Sequence, residues 1–382
     1  MRPVVILPLA GLGSRFPREK WHVCKPLILI DDKTIIEWSM SCIDTSNCDV
    51  VFVVRKEHID DFAIDSFLKQ KFEGCHVVTV PELTRGAAET CLAAKEFIRP
   101  ESPVIVHCSD VYWEPKFEAA TFSCKESGHI LTFKSNSSNY SYSKIENGLV
   151  AEVAEKKVIS NNASVGVYWF KTGEDFLFAV ESAVNSYEGK ELHLAPVYNF
   201  LIQEGYKVSA SEVSSMHIFG TPEEFEFFRK NSLRSFPQNK KTVGVCCDHS
   251  GYKAKEIFKT LAPKFNLKVI DFGTYSTKDT DYSEPVKATC KAILDGNCDF
   301  GFGFCRSGQG VNIAANKIQG IRSALCYNDW AAKVAVQHSC ANFFAMSEKF
   351  CGENEIYLAL HEVMNNSFQG GRHQNRLMKN ET

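Results

Sequence analysis

At 382 residues the chain is long enough for two or three domains of roughly 100 to 200 residues, each with its own buried core. The composition, 44% hydrophobic, 23% charged and 12% aromatic with 28 Phe, is that of an ordinary folded protein and excludes disordered and fibrous chains. A formal net charge of −3 gives no global attraction to nucleic acid or to an anionic membrane, and leaves room for local sites that hold small anions.

The N-terminal apolar run is only about eight residues long and has no small-residue cleavage site. It leads straight into a glycine turn, so it reads as a first buried strand, Val4–Leu9, and not as a secretion signal. Further β-rich apolar runs follow at Val50–Val54, His76–Val80 and Val104–His107, separated by helix-like segments at Thr34–Ile43 and Ala87–Phe97. Strands alternating with helices predict a mostly parallel sheet. After about residue 130 the pattern turns to short strands, Ile130–Phe133 and Ser164–Phe170, with a turn at Asn147–Gly148, which predicts an antiparallel insertion or edge. Pro222–Lys230 reads as a helix with acids in its first turn, and Asn231–Lys241 is polar and contains Pro237. The domain boundary is placed there: 1–234, a linker at 235–241, and 242–382. From Thr242 the alternation restarts, with strands at the start, at Leu267–Phe272 and at Asp299–Phe304, and helices at Trp330–His338 and Glu353–Met364. The 15 cysteines show no Cys-x-x-Cys pair and no disulfide framework, and no stretch approaches the ~18 to 20 apolar residues of a membrane span. A reducing, cytoplasmic setting is expected.

In the first half, Gly11, Gly13 and Ser14 come directly after the first strand, with Arg15 beside them and Lys25–Pro26 a short way on. Such a loop exposes backbone N–H groups that can cradle a polyphosphate, while Arg and Lys neutralise its charge. The dinucleotide fingerprint fails, because Phe16 stands where its third glycine would be. The stretch as a whole resembles the G-x-G-x-R … Lys-Pro signature of sugar-phosphate nucleotidyltransferases. Further landmarks agree in order: Thr84–Arg85–Gly86–Ala87–Ala88 resembles the loop facing the nucleobase, Ser109–Asp110 the metal-binding strand end, Glu155–Lys156 with Gly166–Val167–Tyr168 the sugar-binding stretch, and Gly220–Thr221–Pro222 the late G-T-P turn. The resemblance implies that Leu9, Ala10, Gly11, Gly13, Gly86 and Ala87 bind the nucleotide, that Glu155 and Lys156 bind the sugar phosphate, and that Arg15 and Lys25 carry the chemistry. A phosphate oxygen attacks the α-phosphorus of an NTP and expels pyrophosphate, so several negative charges must be neutralised and held in line. Asp110 would hold Mg²⁺. One departure stands out: where the family commonly has an aspartate before the G-T-P turn, this chain reads Met216–His217–Ile218–Phe219–Gly220, leaving Glu212 or the phosphates to complete the metal's ligands.

Residues 242–380 resemble the family of ribose-5-phosphate isomerase type B and the galactose-6-phosphate isomerase subunits. The landmarks are Asp248–His249–Ser250–Gly251, Asp271–Phe272–Gly273–Thr274, Asp281–Tyr282, Gly310 with Ala314–Ala315–Asn316–Lys317, His338, and Gly370–Gly371–Arg372–His373 with Arg376. Aldose–ketose isomerisation through an enediolate needs a ring-opening group, a base and donors for the oxyanion. The resemblance implies His338 for the first, Cys305 for the second, and Ser307 with the amides of Gly308 to Gly310 for the third. Asp248, His249, Tyr282, Arg306, Gly308, Gly310, Arg372 and Arg376 would bind the phosphosugar, with the two C-terminal arginines coming from a partner subunit of a homodimer. Arg306 and Ser339 depart from the Gly and Asn usual at these places and point to a substrate other than plain ribose 5-phosphate, or one with a further anionic group.

The expected fold class is therefore α/β: two Rossmann-like αβα domains, a mixed sheet of the nucleotidyltransferase (GT-A-like) kind followed by a doubly wound parallel-sheet isomerase domain. The expected function is nucleotidyl transfer from an NTP, with CTP preferred, to a sugar phosphate, together with aldose–ketose isomerisation, as consecutive steps toward a nucleotide-activated sugar for a surface glycan. Partners are NTP and small phosphosugars, with neither nucleic acid nor membrane; Mg²⁺ serves the transferase, and the isomerase needs no cofactor. The alternative is an active transferase whose C-terminal domain only dimerises and senses a sugar phosphate.

Overall fold

Strand β1, Val4–Pro8, is buried along nearly all of its length, because four consecutive branched apolar residues leave it no face for water. Its alternation splits the core: Val5 and Leu7 point to a cluster with Ile36, Met40, Ile64 and Leu68, while Val4 and Ile6 point to one with Ala88, Cys91, Phe176 and Val180. A computed structural model describes residues 2–186 and 191–381 of the chain. Two compact units emerge, Met1–Phe225 and Glu226–Thr382. No disulfide joins any of the 15 cysteines among the described residues. No helix among the described residues is long and apolar enough to cross a membrane.

In the first unit, β1, β2 (Asp49–Arg55), β3 (His76–Val80) and β4 (Val104–His107) run parallel in the order β4-β1-β2-β3. The sheet continues through β5 (Gly128–Lys134), the hairpin β6 (Ser141–Glu146) and β7 (Leu149–Glu155), β8 (Asn162–Phe170) and β9 (Val208–Glu212), reaching nine strands. Strand β8 runs antiparallel to β4, with Val167 opposite His107, so the sheet is mixed as expected. The hairpin turns where the Asn-Gly signal placed it: Asn147 has φ 51 and Gly148 φ 80, the left-handed pair that matches strand twist. Helices α1 (Ala87–Leu92) and α2 (Gly173–Ser186) pack on the Val4–Ile6 side.

In the second unit, β10 (Thr242–Cys247), β11 (Lys268–Asp271), β12 (Phe300–Cys305), β13 (Ser323–Leu325) and β14 (Phe343–Ser347) are all parallel, in the order β11-β10-β12-β14-β13. Helices α3 (Tyr252–Leu261), α4 (Ser283–Leu294), α5 (Gln309–Asn316), α6 (Asp329–Ser339) and α7 (Glu353–Asn365) flank it, and α8 (Gly371–Glu381) closes the described chain. One core joins Val243, Val245, Phe302 and Phe304 to α3, α6 and α7. The other joins Cys246 and Cys305 to Val286, Cys290 and Val311 of α4 and α5, so the sheet is covered on both faces.

The segment read as a polar linker is built differently. The second unit begins at Glu226, ahead of the expected boundary, and the stretch up to Lys240 is helical. Phe228 and Phe236 are buried, Phe227 packs on Cys340 and Phe368, and Lys240 is only 7% exposed. Polar composition hid two anchoring apolar side chains, Leu233 and Phe236, while Phe227 and Phe228 lie in the stretch expected to be helical.

Candidate active sites

At the C-terminal edge of the first sheet lies a cleft of about 660 Å³. Nine residues expected in the site, Leu9, Ala10, Gly11, Gly13, Arg15, Lys25, Gly86, Ala87 and Asp110, all line it. Gly13 has φ +61, and a Cβ there would come within 3.2 Å of the Lys25 side chain, so the turn brings the loop against the lysine it needs. Lys25 Nζ lies 2.7 Å from Asp110 Oδ2. Burial pushes the Asp110 carboxyl pKa up, but the Lys25 charge beside it more than offsets this and holds it below the ordinary value. Arg15 is exposed, its guanidinium 3.5 Å from the Gly220 carbonyl.

The far wall is a backbone clasp. Leu192 N–H donates to Arg85 C=O at 2.8 Å and Ala88 N–H to Leu192 C=O at 3.4 Å. Gly86 has φ +154, and a Cβ there would sit 2.3 Å from the Leu192 carbonyl oxygen, so no other residue fits. The clasp brings Glu191 and His193 into the cleft. Glu155 and Lys156 stand one step behind them: Glu155 lies 3.5 Å from His193 Nδ1, and Lys156 lies 3.4 Å from Glu191. Sequence reasoning missed Glu191 and His193, which carry no motif.

Asp110 is a hard-oxygen ligand kept deprotonated, which suits Mg²⁺. Among the described residues no group of three or more His, Cys, Asp or Glu is arranged to hold a metal, so most of the coordination would fall to phosphates and water. His217 is fully buried with its ring 5.9 Å from Tyr112, and Glu212 pairs with Lys134 at 3.3 Å; neither lines the cleft. A carboxylate that was missed, Glu224, is buried behind Gly220 and accepts from Thr221 N–H at 3.0 Å. Burial, with the Asp110 charge adding to it, raises its pKa.

The second unit holds its expected residues in two groups. At the C-terminal ends of β10 and β12, Asp248 Oδ1 accepts from Gly251 N–H at 2.8 Å, and His249 Nδ1 lies 3.1 Å from Thr280 N, 3.2 Å from Thr280 O and 3.2 Å from Asp279 Oδ1. Cys305 ends β12, only 4% exposed, followed by exposed Arg306 and Ser307. Gly308, φ +76, turns the chain into α5, and Tyr282 lies over Gly310 so closely that a Cβ there would meet its ring at 2.7 Å. The loop thus aims a helix N-terminus at the space beside the thiol.

The second group is His338, Arg372, His373 and Arg376. The rings of His338 and His373 stack, and Arg372 Nε lies 3.4 Å from His373 Nε2. Burial first, then the charges of Arg372 and Arg376, lower the His338 pKa. Burial with His338 and the same arginines pushes His373 down to about 4. Among the described residues no hydrogen bond or ion pair joins this group to Cys305, Ser307 or His249.

Each of the two α/β units carries a glycine loop at a strand end, an arrangement shared by many α/β enzymes. The chain belongs to the nucleotidyl transferase family over residues 5–216 and to the ribose/galactose isomerase family over residues 243–379. It is an enzyme with a nucleotidyltransferase domain and a sugar-phosphate isomerase domain. The second part is 31% identical over 137 residues to ribose-5-phosphate isomerase B of Escherichia coli (strain K12), covering 36% of this chain and 92% of that protein. The crystal structure of a nucleoside-diphosphate-sugar pyrophosphorylase from Vibrio cholerae RC9 superposes with a TM-score of 0.52 at 25% identity, covering 59% of this chain and 99% of that one. The ribose-5-phosphate isomerase B of Clostridium thermocellum is 35% identical over 37% of this chain and 95% of its own, with a TM-score of 0.36.

Proposed function

We propose that the first unit transfers a nucleotidyl group from an NTP to a sugar phosphate, releasing pyrophosphate, and that the second interconverts an aldose and a ketose phosphate. The observation that carries the transferase reading is the Lys25–Asp110 pair at 2.7 Å facing the Gly11–Gly13 loop: a cation, a metal-ready carboxylate and a phosphate cradle in one cleft. Lys25 and Arg15 neutralise and align the triphosphate and the attacking phosphate, and the loop amides hold its oxygens. Mg²⁺, held by Asp110, would supply charge neutralisation across the phosphates when bound. Glu155 and Lys156, acting with His193 and Glu191, orient the acceptor sugar.

For the isomerase, Cys305 moves the proton between C1 and C2, Ser307 and the amides of Gly308 to Gly310 hold the enediolate oxygen, and His249 contributes to the phosphate grip. His338 opens the ring, and Arg372 and Arg376 bind the phosphate from a second copy of the chain. Arg306 meets an additional anionic group of the substrate. CTP is the donor we favour, by analogy with activated alditol phosphates, and the two steps lead to a nucleotide-activated sugar for a surface glycan, in the cytoplasm. Pyrophosphate release screened over four NTPs against a phosphosugar panel tests the first reading; release with no combination overturns it. Proton exchange from solvent into pentose, tetrose and hexose phosphates tests the second, and absence of exchange with all of them overturns it.

A further inference from the structure

In the first unit's cleft the Lys25 ammonium has a neighbour besides Asp110. Phe16, the residue after Arg15, is buried, and Lys25 Nζ stands over its ring, 5.4 Å from the centroid. An ammonium within about 6 Å of an aromatic face is drawn to the negative charge of the π system. The residue that breaks the dinucleotide fingerprint therefore has a contact of its own with the charge at the centre of the cleft.

That ring is not free to turn away. Trp21 meets it at 5.5 Å and 62°, Phe225 meets it at 6.2 Å and 79°, and Trp21 and Phe225 meet each other at 4.9 Å. Edge-to-face contacts of this kind fix ring orientation as well as burying area. Phe225 is seated in turn by the G-T-P stretch, where its N–H donates to Thr221 C=O at 3.0 Å. The base of the lysine is confined too, because Gly13 packs so close that an added Cβ would stand 3.2 Å from Lys25 Cβ.

A lysine ammonium rides on a flexible four-carbon stem and wanders unless something holds it. Asp110 is a poor permanent holder, because a carboxylate that binds a metal has to release the ammonium. A ring face has no second duty: it attracts the cation to the same place whichever anion accompanies it. We infer that, on the proposed transferase reading, Phe16 is a positioning residue for nucleotidyl transfer, its ring keeping the Lys25 ammonium in place as it exchanges Asp110 for a phosphate oxygen. Packing alone asks only for an apolar side chain of this size; the role assigned here asks for the ring's charge distribution.

Phenylalanines carrying one, two and three ring fluorines, introduced at position 16 alone in the full chain, weaken the negative face stepwise at almost constant shape. Pyrophosphate release is expected to slow with each fluorine, reaching about 3- to 30-fold at three, mostly in kcat, while thermal melts stay in place. By NMR of the unsubstituted chain with isotope-labelled lysine, the Lys25 ε-methylene signal, assigned by its loss in Lys25→Gln, is expected to be shifted upfield by the ring. A flat fluorine series in a chain that releases pyrophosphate overturns the inference and leaves the transferase reading standing. No release by the unsubstituted chain with any NTP overturns that reading and, with it, the role of Phe16. A Lys25 signal without the upfield shift overturns the inference whatever the activity.

Discussion

His338 and His373 lie ring on ring, 4.3 Å between centroids and 5° between planes. Burial first, and then the like charge of Arg372 and Arg376, lower the pKa of both stacked imidazoles. The acid limb of isomerase activity should therefore fall below the ordinary histidine value of about 6.5. Neutral His338 is present above its folded pKa and lost as pH falls through it. Arg372→Gln removes one repelling cation, raises that pKa and should move the limb to higher pH; a pH profile of solvent proton exchange checks this, and an unmoved limb contradicts it.

Cys305→Ala should lower proton exchange by about 10²- to 10⁴-fold, the usual worth of a positioned acid–base group. Pyrophosphate release should be unchanged, because Cys305 belongs to the second unit. Assaying both activities on one preparation separates loss of chemistry from loss of fold.

Lys25→Gln leaves Asp110 without the ammonium at 2.7 Å. Transfer should drop by about 10²- to 10³-fold, mostly in kcat, as expected when a donor aimed at developing charge is removed. A change confined to KM would reassign Lys25 to ground-state binding.

Gly86→Ala drives a Cβ into the Leu192 carbonyl at a φ that L side chains avoid. The expected cost is about 1 to 3 kcal/mol of local strain, read as weakened NTP binding with isomerase activity intact.

Lys240 carries a linkage signature. Its folded pKa of about 7 lies below the ordinary lysine value, so the unfolded chain binds more protons between the two. Stability of the second unit should rise as pH increases from about 7 toward about 10. Lys240→Met should flatten that slope in thermal melts of the full chain; an unchanged slope would refute the assignment.

Strand positions and the glycine loops after them were legible because they are local. The run Val4–Pro8 feeding Gly11 and Gly13, and Phe300–Cys305 feeding Gly308, declare buried strands that end in glycine turns. What stayed hidden depends on distant partners. Glu191 and His193 line the cleft only because Leu192 pairs with Arg85, a contact between residues far apart in the sequence. The 231–241 stretch looked like a tether because its lysines, arginine and Pro237 outweigh two apolar anchors, Leu233 and Phe236, whose receptor surface forms only in the folded second unit. Glu224 was masked for a different reason: a glutamate three residues after Thr221 is what any helix cap would show.

The clasp between Arg85 and Leu192 also constrains how this enzyme can change. One pair of backbone hydrogen bonds ties the 84–88 loop to the 191–193 wall, which on the proposed reading meet the nucleobase and the acceptor, so the two cannot be repositioned separately. Engineering a new donor base by altering 84–88 alone should degrade acceptor selectivity in the same stroke. A successful specificity swap would have to transplant 191–194 along with the loop.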